Sequence, residues 1–211
     1  MGGRGGASGL SANQSMVEQF KKAGTKFVET EKLDARAVNE SLSAVSDVLK
    51  DMGIPISVIS VVAGRNGLGK DNLMAVNGMN HLQFSNANYF SYEKASESNK
   101  NTDGYFVAGG IRGTATHEAG HLVMNEIINR TMKNSTNLER ATARHNGKLE
   151  KQIIKEAKKQ YGSNPVISKY GSKKPAEKVA EAVSDVYTNK SKANPYSKVI
   201  VDIMKKKLRG G

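Results

Sequence analysis

His117-Glu118-Ala119-Gly120-His121 is the stretch on which the reading of this chain turns. Two histidines four residues apart on a helix project from one face, one turn above the other. Imidazoles so placed can reach a single Zn²⁺ at about 2.0–2.1 Å. Glu118 follows the first of them directly, where it can lie beside the metal without ligating it and take a proton from the water that the metal activates. The flanks argue for a buried helix. Upstream, Tyr105-Phe106-Val107-Ala108 reads as a strand, broken by Gly109, Gly110 and Gly113, with Thr114 or Thr116 as the N-cap of a helix over about 115–130. Downstream, Leu122, Val123, Met124, Ile127 and Ile128 are too apolar for a free surface. A buried helix carrying His-Glu-His needs a reason, because polar groups without partners are costly inside a protein. A metal supplies one.

A catalytic zinc takes three protein ligands and keeps a further position open. The chain has no cysteine, which excludes sulfur ligands and disulfides. The other histidines, His81 and His145, can ligate but read as surface or loop residues. A third histidine six residues after His121, the metzincin continuation, is missing, since Ile127 stands there. The stretch 175–185 is a better source. Pro175 suits the first turn of a helix. Glu177, Glu181, Ser184 and Asp185 recur at spacings of three and four and so share a metal-facing side. Val179, Ala180, Ala182, Val183 and Val186 cover the apolar side.

The pairing of His117-Glu118-x-x-His121 with Tyr170-x6-Glu177-x3-Glu181 resembles the catalytic domain of anthrax lethal factor and its relatives, which are gluzincin-type zinc metallopeptidases. The likeness spans roughly residues 54–190 and includes Gly120 within the first motif. It implies Zn²⁺ held by His117, His121 and Glu177, with Glu118 as general base. It further implies that Tyr170 assists at the scissile carbonyl and that Glu181 is the outer partner of a ligating histidine. The opening Met1-Gly-Gly-Arg-Gly-Gly-Ala-Ser-Gly-Leu10 resembles a Gly-Arg-Gly segment of phage minor head proteins and related mobile-element products. N-myristoylation is not expected, since Gly6 stands where Ser or Thr is required.

Around these motifs the organisation reads as a Gly/Ser-rich flexible tail over 1–15 and one zincin-like domain over 16–211. A short helix is expected over 16–29, and an amphipathic helix over about 34–51 from Val38, Leu42, Val45, Val48 and Leu49. Ile54 to Ala63 reads as a buried strand, and Leu73–Val76 and Leu82–Ser85 as further strands. Residues 91–104 read as a polar loop and 137–160 as one strongly charged helix. Helices follow over 175–189 and 195–208. A small twisted mixed sheet followed by helices is an α+β layout, the one typical of zincins, with the third ligand on the C-terminal helical part.

Gly64-Arg65-Asn66-Gly67-Leu68-Gly69-Lys70 fits a phosphate loop by spacing, but Asp71 puts a negative charge where Ser or Thr would bind Mg²⁺. It reads as a glycine-rich loop between strands. The formal net charge is +12, concentrated over 139–159 and 205–209. Non-specific contact with nucleic acid is one reading of that charge and a solvated basic surface the other; Tyr161 alone offers little stacking platform for bases. With no charged-then-apolar leader and no long apolar run, the expected setting is the cytoplasm without a membrane span. Carriage in a virion or delivery into a host cell is the alternative setting. The expected function is zinc-dependent cleavage of a protein or peptide substrate. The competing expectations are a non-enzymatic phage structural or DNA-associated protein on a zincin scaffold and, behind it, a nucleotide-binding protein.

Overall fold

Asp34 shows how local chemistry sets the first long element. Its carboxylate accepts a hydrogen bond from the Ala37 N–H at 2.9 Å, which satisfies a free donor at the start of the helix Ala35–Asp51 (α2). Val38, Leu42, Val45 and Leu49 then recur at helical spacing and are all buried. The computed structural model describes residues 16–68, 73–97 and 103–210; the tail expected over 1–15 lies outside them. A helix over 16–22 (α1) precedes α2. The helix expected over 16–29 ends early, because Gly24 turns the chain at φ +94° and Lys26–Val28 forms a strand (β1).

Among the described residues the sheet has four strands: β1, Val61–Arg65 (β2), Met74–Val76 (β3) and His81–Ser85 (β4). Their order is β1-β2-β4-β3. β1, β2 and β4 run parallel, and β3 is antiparallel to β4. The single strand expected over Ile54–Ala63 is divided into a 3₁₀ turn, Ile56–Val58, and β2. Pro55 lacks an N–H and fixes its own φ, which favours a turn over a ladder at that point. Gly64 and Arg65 of the phosphate-loop-like segment belong to β2, and β3, not a helix, is the next described element. Gly69, Lys70 and Asp71 lie outside the described residues.

Three further expectations are corrected. The loop expected over 91–104 contains a short helix, Tyr92–Glu97 (α3). Tyr105–Ala108 is a series of bends rather than a strand. The Val107 N–H goes to the Glu181 carboxylate at 2.7 Å, and Tyr105 O accepts from Tyr170 N at 2.8 Å. The charged helix expected over 137–160 is two helices, Asn137–Asn146 (α5) and Lys148–Tyr161 (α6), parted by Gly147 at φ +58°. Only glycine adopts that conformation at little cost.

The motif helix runs from Gly110 to Thr131 (α4). It starts earlier than expected, with Gly109 rather than Thr114 or Thr116 as its N-cap. Thr116 lies inside the helix and donates its hydroxyl to Arg112 O at 2.8 Å. Helices Pro175–Asn189 (α7) and Pro195–Arg209 (α8) complete the chain, each opened by a proline that needs no N–H partner. α2 and α7 pack against α4, and α6 and α7 pack against α8. The whole is α+β, and no helix among the described residues is long and apolar enough to cross a membrane.

Gly120 sets how closely α4 and α7 approach. A Cβ placed there would stand 2.8 Å from Ala180 Cα and 3.3 Å from Val183 Cβ. Backbone cannot yield as a flexible side chain does. Gly120→Val is therefore expected to lower stability by about 1–3 kcal/mol through overpacking, without the helix-propensity gain that alanine brings. Urea unfolding of the metal-free chain checks this, and an unchanged midpoint would show that the two helices have room to spare.

Candidate metal centre

The close crossing at Gly120 and Ala180 brings the carboxylates of α7 onto the imidazoles of α4. His117 Nε2 lies 3.1 Å from Glu177 Oε2, and His121 Nε2 lies 3.6 Å from the same oxygen. Ligand atoms of His117, His121 and Glu177 all fall within 4.8 Å of one another. Around a tetrahedral cation with bonds of about 2.0–2.2 Å, ligand atoms stand about 3.3–3.6 Å apart. The three residues therefore can hold a metal ion with little rearrangement. Two imidazoles and one carboxylate suit first-row transition metals over Ca²⁺ or Mg²⁺, which prefer all-oxygen shells.

Behind His117 stands Glu181. His117 donates from Nδ1 to Glu181 Oε1 at 2.8 Å, and the second oxygen of Glu181 accepts from Val107 N at 2.7 Å. Glu181 is 1% exposed. The pair fixes the ring so that Nε2 faces Glu177, the arrangement by which a carboxylate orients a ligating histidine. Burial alone would favour the neutral ring. The hydrogen bonds to Glu177 and Glu181 prevail, and the pKa of His117 is pushed up to about 10. Burial would likewise raise Glu177, but its hydrogen bonds to His117 and His121 hold its carboxyl well below the usual range.

Glu118 borders the same cavity without joining the converging atoms. It is buried, and that burial raises its carboxyl, with the charges of His121 and His117 opposing. A hydrogen bond from the Val76 backbone ties it to β3. Tyr170 borders the cavity too, its ring centre 5.6 Å from that of His117. Burial, and then the charge of Glu177, push its phenol up, so it stays protonated and able to donate. Its backbone is held by Tyr105 O, and its ring lies 4.9 Å from that of Phe106.

The cavity is open, about 430 Å³ in volume, and is walled by β3 with its following turn, α4, the end of α5 and the start of α7. β4 is an interior strand, and β3 is the sheet edge at the site. Neither 82–85 nor 105–108 offers a peptide an edge: the first is paired on both sides, and the second is not a strand. Ser184 and Asp185 also leave the metal-facing side. Ser184 donates to Gly113 O at 2.9 Å, and Asp185 accepts from Asn189 Nδ2 and Asn194 N. His145 lines the cavity but stays out of the converging set, and His81 belongs to neither.

Sequence reasoning missed Asn125, Arg144 and Glu150, all of which line the cavity. Asn125 carried a readable signal, since it sits four residues after His121 on the same helical face. Arg144 and Glu150 carried none, because they register only as members of a charged helix. The chain matches no family model, no curated protein and no solved structure; its chemistry is read from the geometry of the site.

Proposed function

We propose that the chain is a zinc-dependent endopeptidase on a zincin-like α+β scaffold, working as the lethal factor-like gluzincins do. The observation that carries this reading is the separation of roles within one cavity. Three donors from two helices converge, while a second carboxylate, Glu118, borders the same cavity outside the converging set. A bound Zn²⁺ would supply a Lewis acid that makes water more acidic and polarises a carbonyl.

The remaining steps belong to the side chains. Glu118, whose burial raises its carboxyl above the ordinary range, accepts a proton as water oxygen bonds to the scissile carbonyl carbon. It then returns that proton to the amine nitrogen as the C–N bond breaks. Tyr170 keeps its phenol proton and donates to the oxygen on which negative charge develops. Among the described residues β3 is paired on one side only, which leaves an edge along which an extended peptide can add as a strand.

Metal analysis of the full chain, purified without a polyhistidine tag, tests the reading together with hydrolysis of a peptide library. Near-stoichiometric zinc, and hydrolysis that a chelator stops and Zn²⁺ restores, are expected. Failure to cleave any peptide at full zinc loading would sink the proposal. Tyr170→Phe is expected to keep zinc and lower kcat by about 10²–10³-fold, the effect of deleting one oxyanion donor. Native turnover in that variant would reduce Tyr170 to packing against Phe106.

A further inference from the structure

Among the described residues, one cation lining the cavity has no carboxylate paired with it. Arg144, near the C-terminal end of α5, donates from Nε to Asn125 Oδ1 at 2.9 Å and from Nη2 to Asn129 Oδ1 at 2.8 Å. Both acceptors are neutral amides. Among the described residues no carboxylate forms an ion pair with Arg144, whereas Arg112 and Arg130 each hold one. Glu150 shares the cavity wall, but burial raises its carboxyl, and among the described residues its Oε2 has no hydrogen-bond partner. The guanidinium is itself partly desolvated and faces the like charge of Arg140. A partly exposed guanidinium held only by neutral amides keeps its full charge to offer an incoming anion.

The group is also held in place. Asn125 donates from Nδ2 to Asn80 Oδ1 at 2.8 Å, so a polar chain runs from the β3–β4 turn through α4 to Arg144. Nε and Nη2 face the asparagines, which leaves Nη1 for a ligand. A guanidinium N–H fixed in this way can give a carboxylate a charge-assisted hydrogen bond. Its place relative to the reacting bond follows from the helix. His117, His121 and Asn125 succeed one another at four-residue steps on one face of α4, and each step is about 6 Å. An extended peptide advances about 3.3 Å per residue, so Arg144 lies within reach of a group one or two residues from the bond that is cut.

We propose that Arg144 determines specificity by binding a carboxylate of the substrate, either an acidic side chain or a free C-terminus close to the scissile bond. The inference rests on the peptidase reading. The net charge of +12 favours acidic peptides in the same sense by raising their local concentration.

Binding is measured by fluorescence anisotropy on the full zinc-loaded Glu118→Gln chain. The probes are matched peptide pools that differ in Glu against Gln at each position in turn, and in a free against an amidated C-terminus. Tighter binding of one carboxylate member by about tenfold to a hundredfold is expected, the range of a hydrogen bond to a charged group. An effect at an internal position identifies a side chain, and an effect of the terminal acid alone identifies the C-terminus. Arg144→Gln is expected to bring the ratio near one, and Arg144→Lys to keep part of it. Equal binding of acid and amide by the chain with Arg144 intact overturns the proposal without need of a variant, as does a ratio that Arg144→Gln leaves unchanged. Cleavage by the chain with Glu118 intact is followed in parallel. Discrimination without cleavage removes the peptidase reading and keeps Arg144 as the anion reader. Cleavage without discrimination removes the role of Arg144 alone.

Discussion

Glu118→Gln is expected to leave metal content at the native level and to slow peptide hydrolysis by about 10²–10⁴-fold, the usual contribution of a positioned acid–base group. The substitution keeps the shape of the side chain and an oxygen that can accept the Val76 hydrogen bond. It removes the group that takes up a proton. The converging set of His117, His121 and Glu177 does not include Glu118, so the metal has no reason to leave. Loss of metal from the variant would put Glu118 among the ligands and undo the assignment. Retained metal with native turnover would require another base, and among the residues lining the cavity His145 would then be the first to replace.

Removing Glu177 should have the largest effect on the metal. Its Oε2 is the atom shared by both histidine contacts, so Glu177→Ala takes away one of three protein donors. Glu181→Ala leaves all three and loosens one. Changes to an orienting partner cost about 10–100-fold in affinity or activity, and Glu177→Ala is expected to exceed that range. Competition titration against a chelating dye gives the comparison directly. Glu181→Ala should instead show more in stability, because it leaves Val107 N and His117 Nδ1 without their acceptor. Unpaired buried groups cost about 1–3 kcal/mol each, which urea unfolding of the metal-free chain would register. Equal loss of metal affinity in the two variants would argue that Glu177 and Glu181 do not have different roles.

Much of the helical framework was legible in advance. α2, α7 and α8 carry apolar residues at helical spacing and begin at Asp34, Pro175 and Pro195, so period and start signal agree. β3 and β4 were legible to within a residue. What escaped were elements whose identity depends on partners. β1 is three residues long and is a strand because Val61–Ala63 lies beside it. Tyr105–Ala108 has strand-like composition, yet its N–H at Val107 is claimed by Glu181 from α7. The division of α5 from α6 hangs on one glycine in a stretch whose charge pattern continues on both sides.

The sequence by itself determined that His117 and His121 share a face and that Glu118 stands next to the first of them, because helical period is a local property of the backbone. It likewise put Glu177 and Glu181 one turn apart. That these two pairs meet was decided only by the tertiary structure. They are separated by more than fifty residues, and they come together because Gly120 lets Ala180 approach the α4 backbone. Arg144 became a cavity residue in the same way, through a turn at Gly147 and two asparagines on a different helix. Contacts of that kind follow from the packing of distant elements, and no periodicity within a segment encodes them.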